Sequence, residues 1–344
     1  MLRFLIKDLL NINLWVKSLK NPEKAKKAII TRFFSYPGKR LGKIKNLFIR
    51  NIFLNIWLLL AKKNKLLYNY FFSHKKIEGD FQSKNNFTFS NIKPDEKIDE
   101  NVFLSLKNNG IIILKNILSK SEHNKIIRRF NDLEINSENS INSWIKGPHN
   151  ITKSNLIDLF WAMDNIEKYP ELKSISKKIT TEIYGKEVIP TSEFYWHKSL
   201  KCPEEIIQGE NHLHMDRYIP NLKMYYSPFR ITEQDAPFQW VLGSHKINEE
   251  YIDYWKNSKN YNEIEDKKNS EYLKKIPENN KIRAMVDANS LIAVFTNGLH
   301  CRSPFLKKDR NRKVVFLHYG SFNKLSLLNF KSYNSNIKDT KELN

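Results

Sequence analysis

The sequence predicts a mainly β fold with flanking helices, a double-stranded β-helix core of the jelly-roll or cupin-like type behind a basic helical N-terminal extension. Two observations carry this. From position 188 onward, short runs of β-branched and aromatic residues recur between turn residues, at 193–197, 212–218, 222–226, 238–241, 282–286, 291–295 and 314–319. Helix-like segments concentrate in the first half, and so does the positive charge.

The charge divides the chain. The whole sequence of 344 residues carries a formal net charge of +21. Residues 1–77 hold 18 Lys and Arg against Asp8 and Glu23, which leaves 40 basic and 35 acidic residues for 78–344. The extension is therefore strongly basic and the remainder close to balanced. Pro22 and Pro37-Gly38 break the extension into three helical pieces. The last, 41–72, is rich in aliphatic and aromatic residues (Phe48, Phe53, Trp57, Tyr68, Phe71), with Lys43, Lys45 and Arg50 before the apolar run and Lys62, Lys63 and Lys65 after it. Three readings fit it: an in-plane helix on an anionic membrane, a helix packed on the rest of the chain, or a nucleic-acid arm. The last ranks lowest, because the apolar content exceeds what phosphate contacts require. The longest apolar run, 52–61, is interrupted by Asn55 and is shorter than the roughly 20 residues of a membrane-spanning helix. Cys202 and Cys301 form neither a disulfide framework nor a Cys-x-x-Cys motif, and no secretion signal is read at the start, so a cytoplasmic chain is expected, peripheral on the membrane where the first of the three readings holds.

Residues 78–97 are polar and read as a linker, 98–325 as the jelly-roll domain and 326–344 as a polar tail. Within the domain, 111–114 reads as a strand. Ser119-Lys120-Ser121-Glu122 reads as a reciprocal capping box opening a helix to about 133, and 153–163 and 170–184 read as further helices. The charged segment 247–280 is too long for a turn, and reads as either a solvated insertion or a helical lid.

The chemistry is concentrated in Asn211-His-Leu-His-Met-Asp-Arg-Tyr-Ile-Pro220. On a strand, side chains alternate faces, so His214 and Asp216 share a side with Met215 turned away. One imidazole and one carboxylate, joined by a second imidazole, make the donor set of non-haem iron(II) sites with open positions. His300, 86 residues downstream at the exit of the apolar run 291–295, is the candidate third donor. Arg312 follows 12 residues later, heading a second apolar run, where its planar fork could clamp a carboxylate. His212 shares the face of His214 and Asp216 and could start a cupin-type site, but ranks as a neighbour rather than a ligand. His245 in its Gly-Ser-His turn reads as structural or substrate-facing.

The ordered set His214-Met215-Asp216, Phe238-Gln-Trp-Val-Leu-Gly-Ser-His-Lys246, His300 and Arg312-Lys313, with Asn109-Gly-Ile-Ile-Ile-Leu-Lys-Asn116 upstream, resembles the phytanoyl-CoA dioxygenase family over about 97–322. Ala236 stands where the family usually has Gly and Leu242 where it usually has Pro, and the His300 to Arg312 spacing is one residue longer. The resemblance implies an iron(II)- and 2-oxoglutarate-dependent dioxygenase that hydroxylates a small molecule, lipid-linked or CoA-linked. It implies iron on His214, Asp216 and His300, the far carboxylate of 2-oxoglutarate on Arg312, and O2 at the remaining position. It further implies an aromatic lining at Tyr225 and a turn contact at Lys201. Asp216 argues against halogenation, which in related proteins accompanies a small residue there. The alternative is a non-catalytic jelly-roll module that binds a ligand or partner at the membrane surface.

Overall fold

The computed structural model describes residues 51, 52, 55, 58, 59, 87–90, 92, 96–139, 145, 146, 159–184, 194–200, 213–216, 221–257, 280–303, 306 and 311–321. Strand β1 (Thr88–Ser90) leads to helix α1 (Glu100–Asn109), which starts where the Asp99 carboxylate accepts from the Asn101 N–H at 2.8 Å. It stops at Gly110, whose φ of 79° returns its N–H to the Leu106 carbonyl at 2.9 Å. A Cβ at Gly110 would also fall 2.4 Å from His245 Nδ1 and 2.7 Å from the Trp240 ring, so this turn admits only glycine.

Strand β2 (Ile111–Lys115) then runs into helix α2 (Lys120–Asn139). The expected capping box forms only by half. Ser119 Oγ accepts from the Glu122 N–H at 3.3 Å, but the Glu122 carboxylate turns to helix α3 (Pro170–Tyr184), accepting from the N–H groups of Glu171 and Leu172 at 3.1 and 2.8 Å. Glu171 returns the favour, accepting from the Ser119 N–H and hydroxyl at 2.6 Å each. Two helix N-termini are thus packed side by side and each satisfies the other's free donors. Tertiary packing overrode a local motif.

Strand β3 (Ile145–Lys146) follows, and β4 (Leu159–Asp164) corrects the end of the helix expected over 153–163, of which 153–158 lie outside the described residues. The run Leu-Phe-Trp-Ala-Met-Asp pairs antiparallel with β5 (Phe194–Leu200), Ala162 opposite Trp196 and Asp164 opposite Phe194, and so gains a ladder no isolated helix offers. The remaining elements are β6 (Asn221–Ser227), β7 (Phe238–Val241), α4 (Glu249–Asn257), β8 (Lys281–Ala284), β9 (Ser290–Phe295), β10 (His300–Arg302) and β11 (Asn311–Ser321). Helix α4 opens the 247–280 segment. Its Tyr251 is fully buried, with the hydroxyl donating to the Asn297 carbonyl at 2.9 Å, so this part is packed rather than solvated; 258–279 lie outside the described residues.

One sheet has the order β1-β2-β9-β6-β11-β5-β4-β3 and the other β10-β7-β8, with His214 added beside β10 through a bridge to His300. From β5 on, the chain visits large, small (His214), large, small, small, large, small and large sheet in turn, an order consistent with a jelly roll. The large sheet is covered on both faces. Ile111, Ile113, Ile292, Val294 and Val314 meet Phe238, Trp240 and Ala284 of the small sheet, with Val286 just beyond it. Their alternates Ile112, Leu114, Leu291, Ala293 and Val315 join Leu106, Phe130, Leu172 and Ile175 of the helices. Burial on two faces explains why β2 and β9 read as continuous apolar runs.

The helix side of the core closes over Trp196, fully buried and edge-on to Phe130 with ring centroids 4.6 Å apart. Its Nε1–H donates to Asp164 Oδ2 at 3.1 Å, and Lys168 Nζ reaches Asp164 Oδ1 at 2.7 Å. Burial alone would raise this carboxyl, but the Lys168 ammonium, the Asn165 N–H and the Trp196 indole together hold it below its ordinary value. A depressed folded-state pKa contributes stability that is present above the unfolded value, about 3.9, and is lost as pH falls through the folded value. Asp164→Asn is therefore expected to destabilise the fold by about 1–3 kcal/mol at pH 7. The gap to wild type, read by urea unfolding, should narrow below about pH 4; a gap independent of pH would exclude this account.

Among the described residues no helix is long and apolar enough to cross a membrane. Residues 51, 52, 55, 58 and 59, the described part of the N-terminal extension, are helical. Leu58 is buried within the helix-side core, whereas Ile52 and Leu59 are 44% and 59% exposed. The 326–344 tail lies outside the described residues.

Candidate metal centre

The expected strand over 212–218 is not formed within 213–216. His214 makes a single bridge, its N–H and carbonyl exchanging 2.9 Å hydrogen bonds with those of His300, and the chain then bends at Asp216. The bend is pinned elsewhere: the Asp216 N–H donates to the Thr296 carbonyl at 3.0 Å, and the Thr296 N–H to the Asn221 carbonyl at 2.8 Å. Asn221 Nδ2 also donates to Thr296 Oγ1 at 2.7 Å. His214 and Asp216 thus reach the same side through contacts with two other strands rather than through a pleat of their own.

His300 enters from a tight turn. Gly298 lies under Trp240, where a Cβ would be 2.2 Å from the indole, and the Leu299 N–H donates to Ser244 Oγ at 2.8 Å. The Gly-Ser-His motif therefore shapes the turn that delivers His300. His245 itself is buried, Nε2 3.0 Å from the Lys107 carbonyl and its ring stacked on Phe295 at 5.6 Å. Burial holds its pKa well below the ordinary range, which suits a neutral structural histidine.

His300 Nδ1 lies 2.9 Å from the Gly298 carbonyl. A carbonyl only accepts, so Nδ1 carries the hydrogen and Nε2 presents its lone pair. Asp216 Oδ1 is 3.6 Å from His300 Nε2 and 3.9 Å from His214 Nε2, and one donor atom from each of the three residues lies within 4.8 Å of the others. Donors bound at right angles about 2.1 Å from one ion would be about 3 Å apart. The two spacings from Asp216 Oδ1 are within an ångström of that value, and the donor types fit a first-row divalent metal.

The walls are aromatic. Phe238 stacks on His300 at 5.5 Å with 29° between the rings, Trp240 lies at 6.3 Å, and Tyr225 sits between Phe238 at 5.5 Å and Phe316 at 5.1 Å. Arg312 shares the β11 face of Val314, which packs between the sheets, and its Nη1 donates to the Ala236 carbonyl at 2.8 Å. Ala236 has φ 53°, the left-handed region, at a cost of about 1–2 kcal/mol for a residue with a Cβ. The carbonyl of this left-handed residue is the one that holds Arg312. Lys201, His212 and the side chains of His197 and His318 lie outside the described residues.

One residue escaped sequence reasoning. Lys223 on β6 forms an ion pair with Asp216 Oδ2 and lies 5.2 Å over the Phe316 ring. Burial alone would raise the Asp216 carboxyl, but Lys223, His300 and His214 together outweigh it and hold it well below the usual carboxylate range. The signal was available: Lys223 and Tyr225 are two apart on one strand and so share a face.

No family model and no curated protein matches this sequence. Similar solved structures include the epimerase SnoN in complex with Fe3+, alpha ketoglutarate and nogalamycin RO, at 9% identity over 64% of this chain and 83% of that one, TM-score 0.47. EctD from S. alaskensis with bound Fe is 14% identical over 74% of this chain and 88% of that one, TM-score 0.45. HygX from Streptomyces hygroscopicus with nickel and 2-oxoglutarate is 11% identical over 65% and 87%, TM-score 0.41.

Proposed function

We propose that this chain is a non-haem iron(II)- and 2-oxoglutarate-dependent dioxygenase of the phytanoyl-CoA dioxygenase type, hydroxylating a small-molecule substrate. The observation that carries the reading is the convergence of two imidazoles and one carboxylate at one point of a jelly-roll interior. When bound, iron(II) supplies the oxygen chemistry, driven by decarboxylation of the co-substrate. The chain's own residues bind and orient. His214, Asp216 and His300 hold the metal, and the Gly298 carbonyl fixes the tautomer of His300. Arg312, held by the Ala236 carbonyl, presents its planar guanidinium to the far carboxylate of 2-oxoglutarate. Phe238, Trp240 and Tyr225 exclude water around the donors. Purified protein should bind one iron(II) per chain and form succinate slowly from 2-oxoglutarate without a prime substrate. A protein that binds no divalent metal would leave the non-catalytic module as the better reading.

For the extension, the charge of residues 1–77 supports peripheral attachment to an anionic membrane, while buried Leu58 supports packing of its own turn against the domain. The two are compatible, since Ile52 and Leu59 stay exposed on the same stretch. Full-length protein should cosediment with phosphatidylserine-containing vesicles at low salt and much less at 1 M salt; no cosedimentation at low salt would leave packing alone.

A further inference from the structure

The two oxygens of Asp216 have different neighbours. Oδ1 is the atom near both imidazoles, at 3.6 and 3.9 Å, and Oδ2 is turned to the Lys223 ammonium. Lys223 is placed there by the sheet. It lies two residues from Asn221, whose carbonyl and side chain pin Thr296, and Thr296 in turn pins the Asp216 N–H. Its ammonium lies over the Phe316 ring, and the side chains of Lys223 and Asp216 are only 17% and 23% exposed. The ammonium and the carboxylate are therefore held as a unit on the inner face of the large sheet.

A carboxylate can bind a metal through one oxygen or through both. With both, Asp216 and two histidines would fill four of six positions, and a chelating keto acid would fill the other two. With one, a position stays open beside the co-substrate. We infer that Lys223 is a positioning residue that engages Asp216 Oδ2, restricts Asp216 to single-oxygen ligation, and places a positive charge beside the bound 2-oxoglutarate dianion. This rests on the metal-site reading above. Its consequences for the two ligands have opposite signs. The ammonium repels a divalent cation and withholds the second oxygen, so it weakens metal binding on both counts. It attracts an anion and keeps a position free, so it strengthens co-substrate binding on both counts. A residue that merely oriented Asp216 would do otherwise, since loss of such a partner typically lowers metal affinity about 10–100-fold.

The experiment uses the full chain, with Co(II) as the metal probe and calorimetric titration as the readout. Lys223→Met keeps an unbranched apolar side chain and removes the charge. It is expected to bind Co(II) several-fold more tightly than wild type, and the Co(II)-loaded variant to bind 2-oxoglutarate about tenfold or more weakly, a change of about 1.4 kcal/mol. Lys223→Arg, which retains charge and donors, should stay near wild type for both. Should the Met variant fail to fold by circular dichroism, Lys223→Gln provides the same comparison. Weaker Co(II) binding by the variant, or unchanged 2-oxoglutarate affinity, would overturn the inference and leave the metal site standing. Absence of Co(II) binding by wild type would instead remove the site reading itself.

Discussion

Replacing His214 or Asp216 with alanine is expected to lower iron(II) affinity by more than about 100-fold, since even partners one shell further out cost 10–100-fold. Succinate formation should fall to background with it. His214 is the cleaner test of the two. Its side chain is 15% exposed and its role in the fold is carried by backbone bonds to His300, which alanine retains. Thermal unfolding of His214→Ala without metal should lie close to that of the metal-free wild type. Asp216→Ala removes the partner of Lys223 as well, so its unfolding temperature should fall somewhat further. Asp216→Asn, similar in shape, should lose metal binding with a smaller cost in stability. Wild-type succinate formation in His214→Ala would falsify the assignment of this centre.

Arg312→Lys is expected to raise the apparent KM for 2-oxoglutarate about 10–100-fold, the equivalent of losing one charge-assisted hydrogen bond worth about 1.5–3 kcal/mol. Lysine keeps the charge but not the planar fork, and it cannot hold the Ala236 carbonyl and a carboxylate in one rigid geometry. Metal affinity should change far less than the KM, since the contact that fixes Arg312 is to the Ala236 carbonyl. Arg310→Lys is the control. It precedes the start of β11 at Asn311, whereas Arg312 is fixed opposite Ser199 in the ladder and shares the inward face of Val314. The reverse ranking would mean that the β11 register is displaced by two residues.

The large sheet was legible where both of its faces are covered, because a strand buried twice must be apolar at every position, as 111–114 and 291–295 are. Segment 159–164 was not legible. Its apolar residues suit a helix or a strand equally, and the decision came from β5, which lies more than 30 positions downstream. Ser119–Glu122 carried a correct helix start but the wrong partner for Glu122, since a neighbouring helix N-terminus offered two N–H donors where the box offers one.

For the candidate site, the sequence by itself determined the donor types and their order: a histidine two residues before an aspartate, a histidine at the exit of an apolar run, and an arginine heading another. Residue chemistry is local, so one chain suffices to read it. Only the tertiary structure decided how the donors meet. His214 and Asp216 share a side because His300 and Thr296 hold them there, not because they lie on a regular strand. It also decided which lysine matters. Among the described lysines, Lys223 is distinguished by its contact with Asp216 Oδ2, and that contact depends on the pairing of β6 with β9 and β11. Charge is encoded residue by residue, whereas the direction a charge faces is set by strand register, a property of residues far apart in the chain.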